Sequence, residues 1–160
     1  MTQKIDINAD IGEVSTDIDA ALMPYISSAN IACGFHAGGP EQMAAAVGLC
    51  VKHQVNIGAH PSYWDRAGFG RRSQSCSPAE IHQLMHDQLG ALQAIAIAQQ
   101  AQMRHVKPHG ALYNEAAVAP LLADAIARAV HDFDARLSLV GLANSELIRA
   151  GKAVGLKTVA

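Results

Sequence analysis

GFHAG at 34–38, GAHPS at 58–62 and KPHGALYN at 107–114 decide the fold. Each places a histidine (His36, His60 or His109) at the end of a strand-like apolar run: SANIAC at 28–33, VNIGA at 55–59 and RHV at 104–106. A helical pattern follows each run, so the repeated unit reads strand, polar loop, helix. Such alternation argues for a parallel sheet. Histidines at the carboxyl ends of successive parallel strands converge on one face, the face where α/β folds keep their chemistry.

Working outward, the first strand is expected at 5–9, inside KIDINADIGE. Ile5, Ile7, Ala9 and Ile11 fall on one face; Asp6, Asn8 and Asp10 fall on the other. A parallel strand covered on both sides should be apolar throughout, so this polar face lines something wet or functional. The second strand puts Asn30 on its polar face, the third puts Asn56, Gly58 and His60 together, and the fourth, at about 105–108, pairs Lys107 with His109. Ser77-Pro78-Ala79-Glu80 is a capping box opening a long helix with Ile81, Leu84, Met85, Leu89, Leu92 and Ile95 on one stripe, expected to run to about Gln102. Asn114 is read as capping the next helix, which Pro120 restarts. Two more strand patterns, at 137–141 and 156–160, complete six. Because the polar faces of four strands need a shared interior, the expected architecture is a (β/α) barrel rather than a doubly wound sheet.

The bulk properties narrow the class. Half the residues are apolar and the net charge is −2, with twelve scattered basic residues, so nothing points to nucleic acid. Cys33, Cys50 and Cys76 show no CxxC or metal-type spacing and read as reduced thiols. The N-terminus carries charge inside its first strand pattern and no run is long enough for a membrane span, so the expected setting is cytoplasmic. A closed eight-unit barrel usually takes about 250 residues. The 160-residue chain is therefore expected to form one incomplete barrel domain over 1–160, with open strand edges that invite pairing or a homo-oligomer.

Asp6, Asn8, Asp10, Asn30, Asn56, His60, Lys107 and His109 are expected in one interior, with Glu13 and His36 in loops at the same end. Leaving that many polar groups unsatisfied would cost about 1–3 kcal/mol each, so the cluster reads as a site. Three chemistries could use it. Asp10, His36, His60 and His109 could hold a divalent metal that activates water. Asp10 or Glu13 could act as a general base, with Lys107 stabilising an anion. Arg71, Arg72 and Lys107 could clamp phosphate, although GFGRR is no P-loop and reads equally as a solvated surface loop. Tyr113 and Asn114 read as ligand contacts or as simple turn and cap residues.

DINADIGE, SANIACGFHAG, IGAHPSYWDRAGFGRR and VKPHGALYN, in this order and spacing, resemble the LamB/YcsF family from Asp6 to the last strand. The resemblance implies a seven-stranded, TIM-like (β/α) barrel of the glycoside hydrolase/deacetylase shape, with a further C-terminal part after Ala160. It implies the A subunit of an ATP-dependent 5-oxoprolinase, which with subunits B and C opens 5-oxo-L-proline to L-glutamate, with ATP as co-substrate. Trp64 stands where the family commonly has another residue. For that reaction, Lys107, Arg71 and Arg72 would meet phosphate oxygens. Asp10, Glu13, His60 and His109 would handle water and protons, and Asn8, Asn30, His36, Tyr113 and Asn114 would contact substrate or nucleotide. The alternatives are a stand-alone metal-dependent hydrolase or deacetylase acting on a carbohydrate or amide, and a non-catalytic ligand-binding module.

Overall fold

The structure, a computed structural model, describes residues 5–160. Its elements in order are β1 (Asn8–Ile11), α1 (Thr16–Leu22) with a 3-10 turn (Met23–Tyr25), β2 (Ser28–Ala32), α2 (Pro40–His53), β3 (Asn56–His60), α3 (Pro78–Ala98), β4 (Met103–Val106), α4 (Gly110–Ala116), α5 (Pro120–Asp134), β5 (Ser138–Val140), α6 (Glu146–Ala153) and β6 (Lys157–Val159). All strand pairs are parallel and the sheet order is β1-β2-β3-β4-β5-β6. A doubly wound sheet reverses direction at a switch point; this one never does. The helices therefore form one continuous outer layer, α1 on α2, α2 on α3, α3 on α5 and α5 on α6. That is the winding of a TIM-like barrel, with six strands and six α-helices among the described residues. The seventh strand implied by the resemblance is not among them.

The two faces of the sheet part by strand parity. Ile11, Ile31, Ile57, Ala59, Val106 and Leu139 point outward into the helical layer and are buried there. The opposite parity puts Asp10, Asn30, Gly58, His105, Ser138 and Lys157 in one register row across all six strands. Helix α3 presses Ile81, Met85, Leu89 and Leu92 into the core, each worth about 1.5–3 kcal/mol when fully buried. Its capping box forms as expected: the Ser77 hydroxyl accepts from the Glu80 amide and the Glu80 carboxylate accepts from the Ser77 amide. Ser77→Ala should lower stability by about 1 kcal/mol, read from a urea midpoint that shifts with an unchanged slope.

Several boundaries differ from the sequence reading, for local reasons. β1 starts at Asn8, and Ile5 and Ile7 lie exposed beside an edge strand instead of in the core. Helix α3 stops at Ala98 because Gln100 takes a left-handed conformation (φ 56°). Asn114 is no cap: α4 begins at Gly110 with His109 in the cap position, and Asn114 lies exposed within that helix. Cys33, Cys50 and Cys76 are free, and burial pushes the Cys33 and Cys50 thiols up to about 12. Among the described residues no helix is long and apolar enough to cross a membrane.

Candidate metal centre

Four consecutive strand ends deliver the site. Glu13 comes from the turn after β1, His36 from the loop after β2, His60 is the last residue of β3, and His109 follows β4 at the start of α4. One ligand atom from each of these four side chains lies within 4.8 Å of the other three. The His36 and His109 rings stack with centroids 3.8 Å apart, and His60 stands edge-on to both. The loop after β3 closes over them. Asp65, buried, accepts from the Gly68 amide and from the Arg72 amide and guanidinium. The Arg72 hydrogen bond holds that carboxyl down at about 2. The loop seats on α4 where Gly70 meets Gly110; a Cβ on Gly110 would sit 2.3 Å from the Gly70 carbonyl oxygen. Phe69, left-handed at φ 55°, turns its carbonyl toward His109.

The placement of protons on the rings defines the chemistry. His60 Nδ1 lies 2.6 Å from the Lys107 carbonyl oxygen, and His109 Nε2 lies 2.9 Å from the Phe69 carbonyl oxygen. A carbonyl only accepts, so both nitrogens carry protons. The other nitrogens, His60 Nε2 and His109 Nδ1, face each other at 3.0 Å. Burial first, then the neighbouring histidines, push His109 down to about 4, so its ring is neutral at pH 7. Both nitrogens point into the cup, where one divalent cation would engage the two together. His36 is held at both ends: Nδ1 meets the Ser62 hydroxyl at 2.9 Å, and Nε2 donates to Glu13 Oε1 at 2.9 Å. Burial works against ionising Glu13, but the His36 hydrogen bond and the nearby histidines outweigh it and keep the carboxyl below its ordinary value. Three imidazoles whose outer nitrogens are tied to protein acceptors, plus one carboxylate, suit a borderline divalent ion such as zinc.

Beside this cup lies a polar floor. Asp10 accepts from Lys107 Nζ at 2.8 Å and from Asn30 Nδ2 at 2.8 Å, and its second oxygen lies 3.3 Å from His60 Nε2. Burial opposes ionisation of Asp10, yet His60 and Lys107 prevail and hold it well below the usual carboxylate range. Asn30 also donates to Asn8, and its amide oxygen lies 2.8 Å from His105 Nε2.

Of the residues singled out from sequence, Asn8, Asp10, Glu13, Asn30, His36, His60, Lys107 and His109 come together. The tightest four-ligand group holds Glu13 where the sequence reading had Asp10. Arg72 is engaged by Asp65, and Arg71 lies over the Phe69 ring at 5.3 Å. Asn56 and Asn114 are exposed, and Tyr113 is half-buried in α4. Sequence reasoning missed His105, Ser62 and Gln88. His105 shares the parity of Lys107 and His109, and Gln88 is a polar residue beside the apolar stripe of α3; both signals were present.

A singly wound parallel β/α sheet with three histidines and a carboxylate at its strand ends defines a TIM-like protein with a candidate metal centre. The sequence matches the LamB/YcsF family over residues 5–160, and the chain belongs to that family. The crystal structure of a lactam utilization protein from Thermus thermophilus is 43% identical, superposes with a TM-score of 0.94, and is matched over 98% of this chain and 65% of that one. This chain thus spans just under two thirds of that protein's length. An oxaloacetate acetylhydrolase bound to its product oxalate aligns over 89% of this chain and 56% of that one at 18% identity; its TM-score of 0.41 carries no argument.

Proposed function

We propose that the chain is the A subunit of a cytoplasmic, ATP-dependent 5-oxoprolinase, and that with subunits B and C it opens 5-oxo-L-proline to L-glutamate. The observation that carries a hydrolytic role is the convergence of three imidazoles and Glu13, with one ligand atom of each within 4.8 Å of the others. The lactam reading is supported by family membership and by the likeness to a lactam utilization protein.

Glu13, His36, His60 and His109 would hold the metal. Bound there, a divalent ion supplies a Lewis acid for the amide oxygen and an acidified water. Asp10, beside His60, is placed to take a proton from the attacking water and to pass it to the departing ring nitrogen. Its low pKa is set by His60 and Lys107 against the opposing effect of burial. Lys107, only partly exposed, offsets negative charge that builds up as the carbonyl carbon becomes tetrahedral. Asn8 and Asn30 hold Asp10 in register. The Arg72 guanidinium is taken up by Asp65, and we assign nucleotide handling to the partner subunits and ring opening to this chain.

The test is glutamate release by the reconstituted three-subunit mixture, with ATP omitted as the control. Lys107→Ala should cut the ATP-coupled rate by about 100-fold or more; a near-normal rate removes this cup from the mechanism. A second reading, a stand-alone metal-dependent amide or carbohydrate hydrolase, is favoured by the completeness of the four-ligand group. Turnover by this chain alone, without ATP or partners, would select it.

A further inference from the structure

We propose that Ser62, gripped by Gln88 of α3, is the positioning residue that fixes the tautomer of His36 and so sets how tightly the centre takes up a divalent metal. The proposal rests on the metal-centre reading above.

The three imidazoles are not tied down alike. His60 and His109 are oriented by main-chain carbonyls, those of Lys107 and Phe69. His36 alone is oriented by a side chain, the Ser62 hydroxyl at 2.9 Å from Nδ1. A hydroxyl can donate or accept, so by itself it would leave the tautomer open. The surroundings remove that freedom. Ser62 directs its single proton to the Tyr63 carbonyl at 2.9 Å. Its oxygen must then accept from His36 Nδ1–H, which turns His36 Nε2 into the cup, 2.9 Å from Glu13 Oε1, where a bound divalent ion would replace the proton shared between them.

Ser62 adopts this pose because its backbone is held on both sides. Its amide donates to Gln88 Oε1 at 2.9 Å, and Gln88 Nε2 donates to its carbonyl at 2.9 Å. The remaining Gln88 bond goes to the Leu84 carbonyl at 3.1 Å. Gln88, Ser62 and His36 are all buried. The other buried residues of α3 are apolar: Ile81, Met85, Leu89, Leu92 and Ala96. An amide buried in such a helix is costly unless its bonds are made, and here they are made to the one residue that orients His36. The chain of contacts runs from an outer helix to a ligand atom without passing through solvent.

The experiment titrates cobalt(II) into the full chain and follows its visible absorption, with a chelator in competition and circular dichroism to report the folded fraction. Ser62→Ala should weaken cobalt uptake by about 10–100-fold, and Gln88→Met should weaken it in the same direction. Ser62→Thr, which keeps the hydroxyl, should restore uptake. In the zinc-loaded chain, proton NMR should show a hydrogen-bonded His36 Nδ1–H resonance that is lost in Ser62→Ala. Should Ser62→Ala fail to fold, Gln88→Met carries the comparison. Unchanged cobalt affinity in a folded variant, with the ring-proton signal intact, overturns this proposal alone. A parent chain that takes up no cobalt overturns the metal reading and this proposal together.

Discussion

His60→Ala is expected to abolish stoichiometric binding of a divalent metal and, in the assembled enzyme, ATP-coupled glutamate release. His60 is the most connected of the four ligands. Its Nε2 lies 3.0 Å from His109 Nδ1, 3.3 Å from Asp10 and 3.9 Å from Glu13, while Nδ1 donates to the Lys107 carbonyl. Structural zinc sites are worth about 10–16 kcal/mol, so losing one of four ligands should weaken binding by at least ~100-fold. Alanine also strands the Lys107 carbonyl and takes from Asp10 one of the two groups that hold its carboxyl ionised. Calorimetric titration with zinc measures the first effect and the reconstituted assay the second. Retention of one tightly bound metal per chain in His60→Ala would remove His60 from the ligand set. Loss of metal with full glutamate release would separate the metal from the reaction.

The histidines were legible because each lies at or just beyond the carboxyl end of a strand run, where chain direction alone brings it to one face. His36, His60 and His109 needed only the repeat of strand, loop and helix to be brought to one face. The capping box at Ser77 was equally local, three residues apart in sequence. Glu13 was harder to rank against Asp10. Asp10 faces inward by parity, but Glu13 reaches the cup through a turn at Gly12 (φ 73°) whose amide is held by the buried Asp19 carboxylate. That turn is packed against the next loop: a Cβ on Gly38 would lie 2.6 Å from the Gly12 carbonyl oxygen. No pattern within one strand encodes such an approach. Arg72 has a structural partner that its place in the sequence does not show. Two adjacent arginines near a glycine pair suit phosphate, yet Asp65, seven residues before Arg72, folds back and takes its guanidinium. The pairing holds the loop that presents the Phe69 carbonyl, so these residues support the cup from outside.

Gly58 shows how a residue with no side chain shapes the floor of the site. It lies between Asn30 and His105 in the register row, and the His105 ring crosses above it to reach the Asn30 amide oxygen at 2.8 Å. A Cβ on Gly58 would stand 2.0 Å from His105 Nε2 and 2.3 Å from two ring carbons. His105 is buried, and that burial lowers its pKa to about 4, so the neutral ring has no ion pair to hold it elsewhere. Gly58→Ala must therefore evict the ring and leave the fully buried Asn30 oxygen without its donor. Overpacking and one orphaned acceptor together should cost about 2–4 kcal/mol. For a chain of this size that corresponds to a fall in melting temperature of roughly 5–15 °C, read by circular dichroism on metal-free protein. The mechanism makes a sharper demand on the double variant. His105→Ala alone leaves a cavity and the same orphaned oxygen, but in its presence the added methyl at Gly58 has nothing to strike. Gly58→Ala with His105→Ala should be less destabilised than the sum of the two singles by at least about 1 kcal/mol. Additive losses would mean that Gly58 is needed for its backbone and not for the ring that lies over it. A favourable coupling would tie strand β3 to the positioning of Asn30, and through Asn30 to the carboxylate of Asp10.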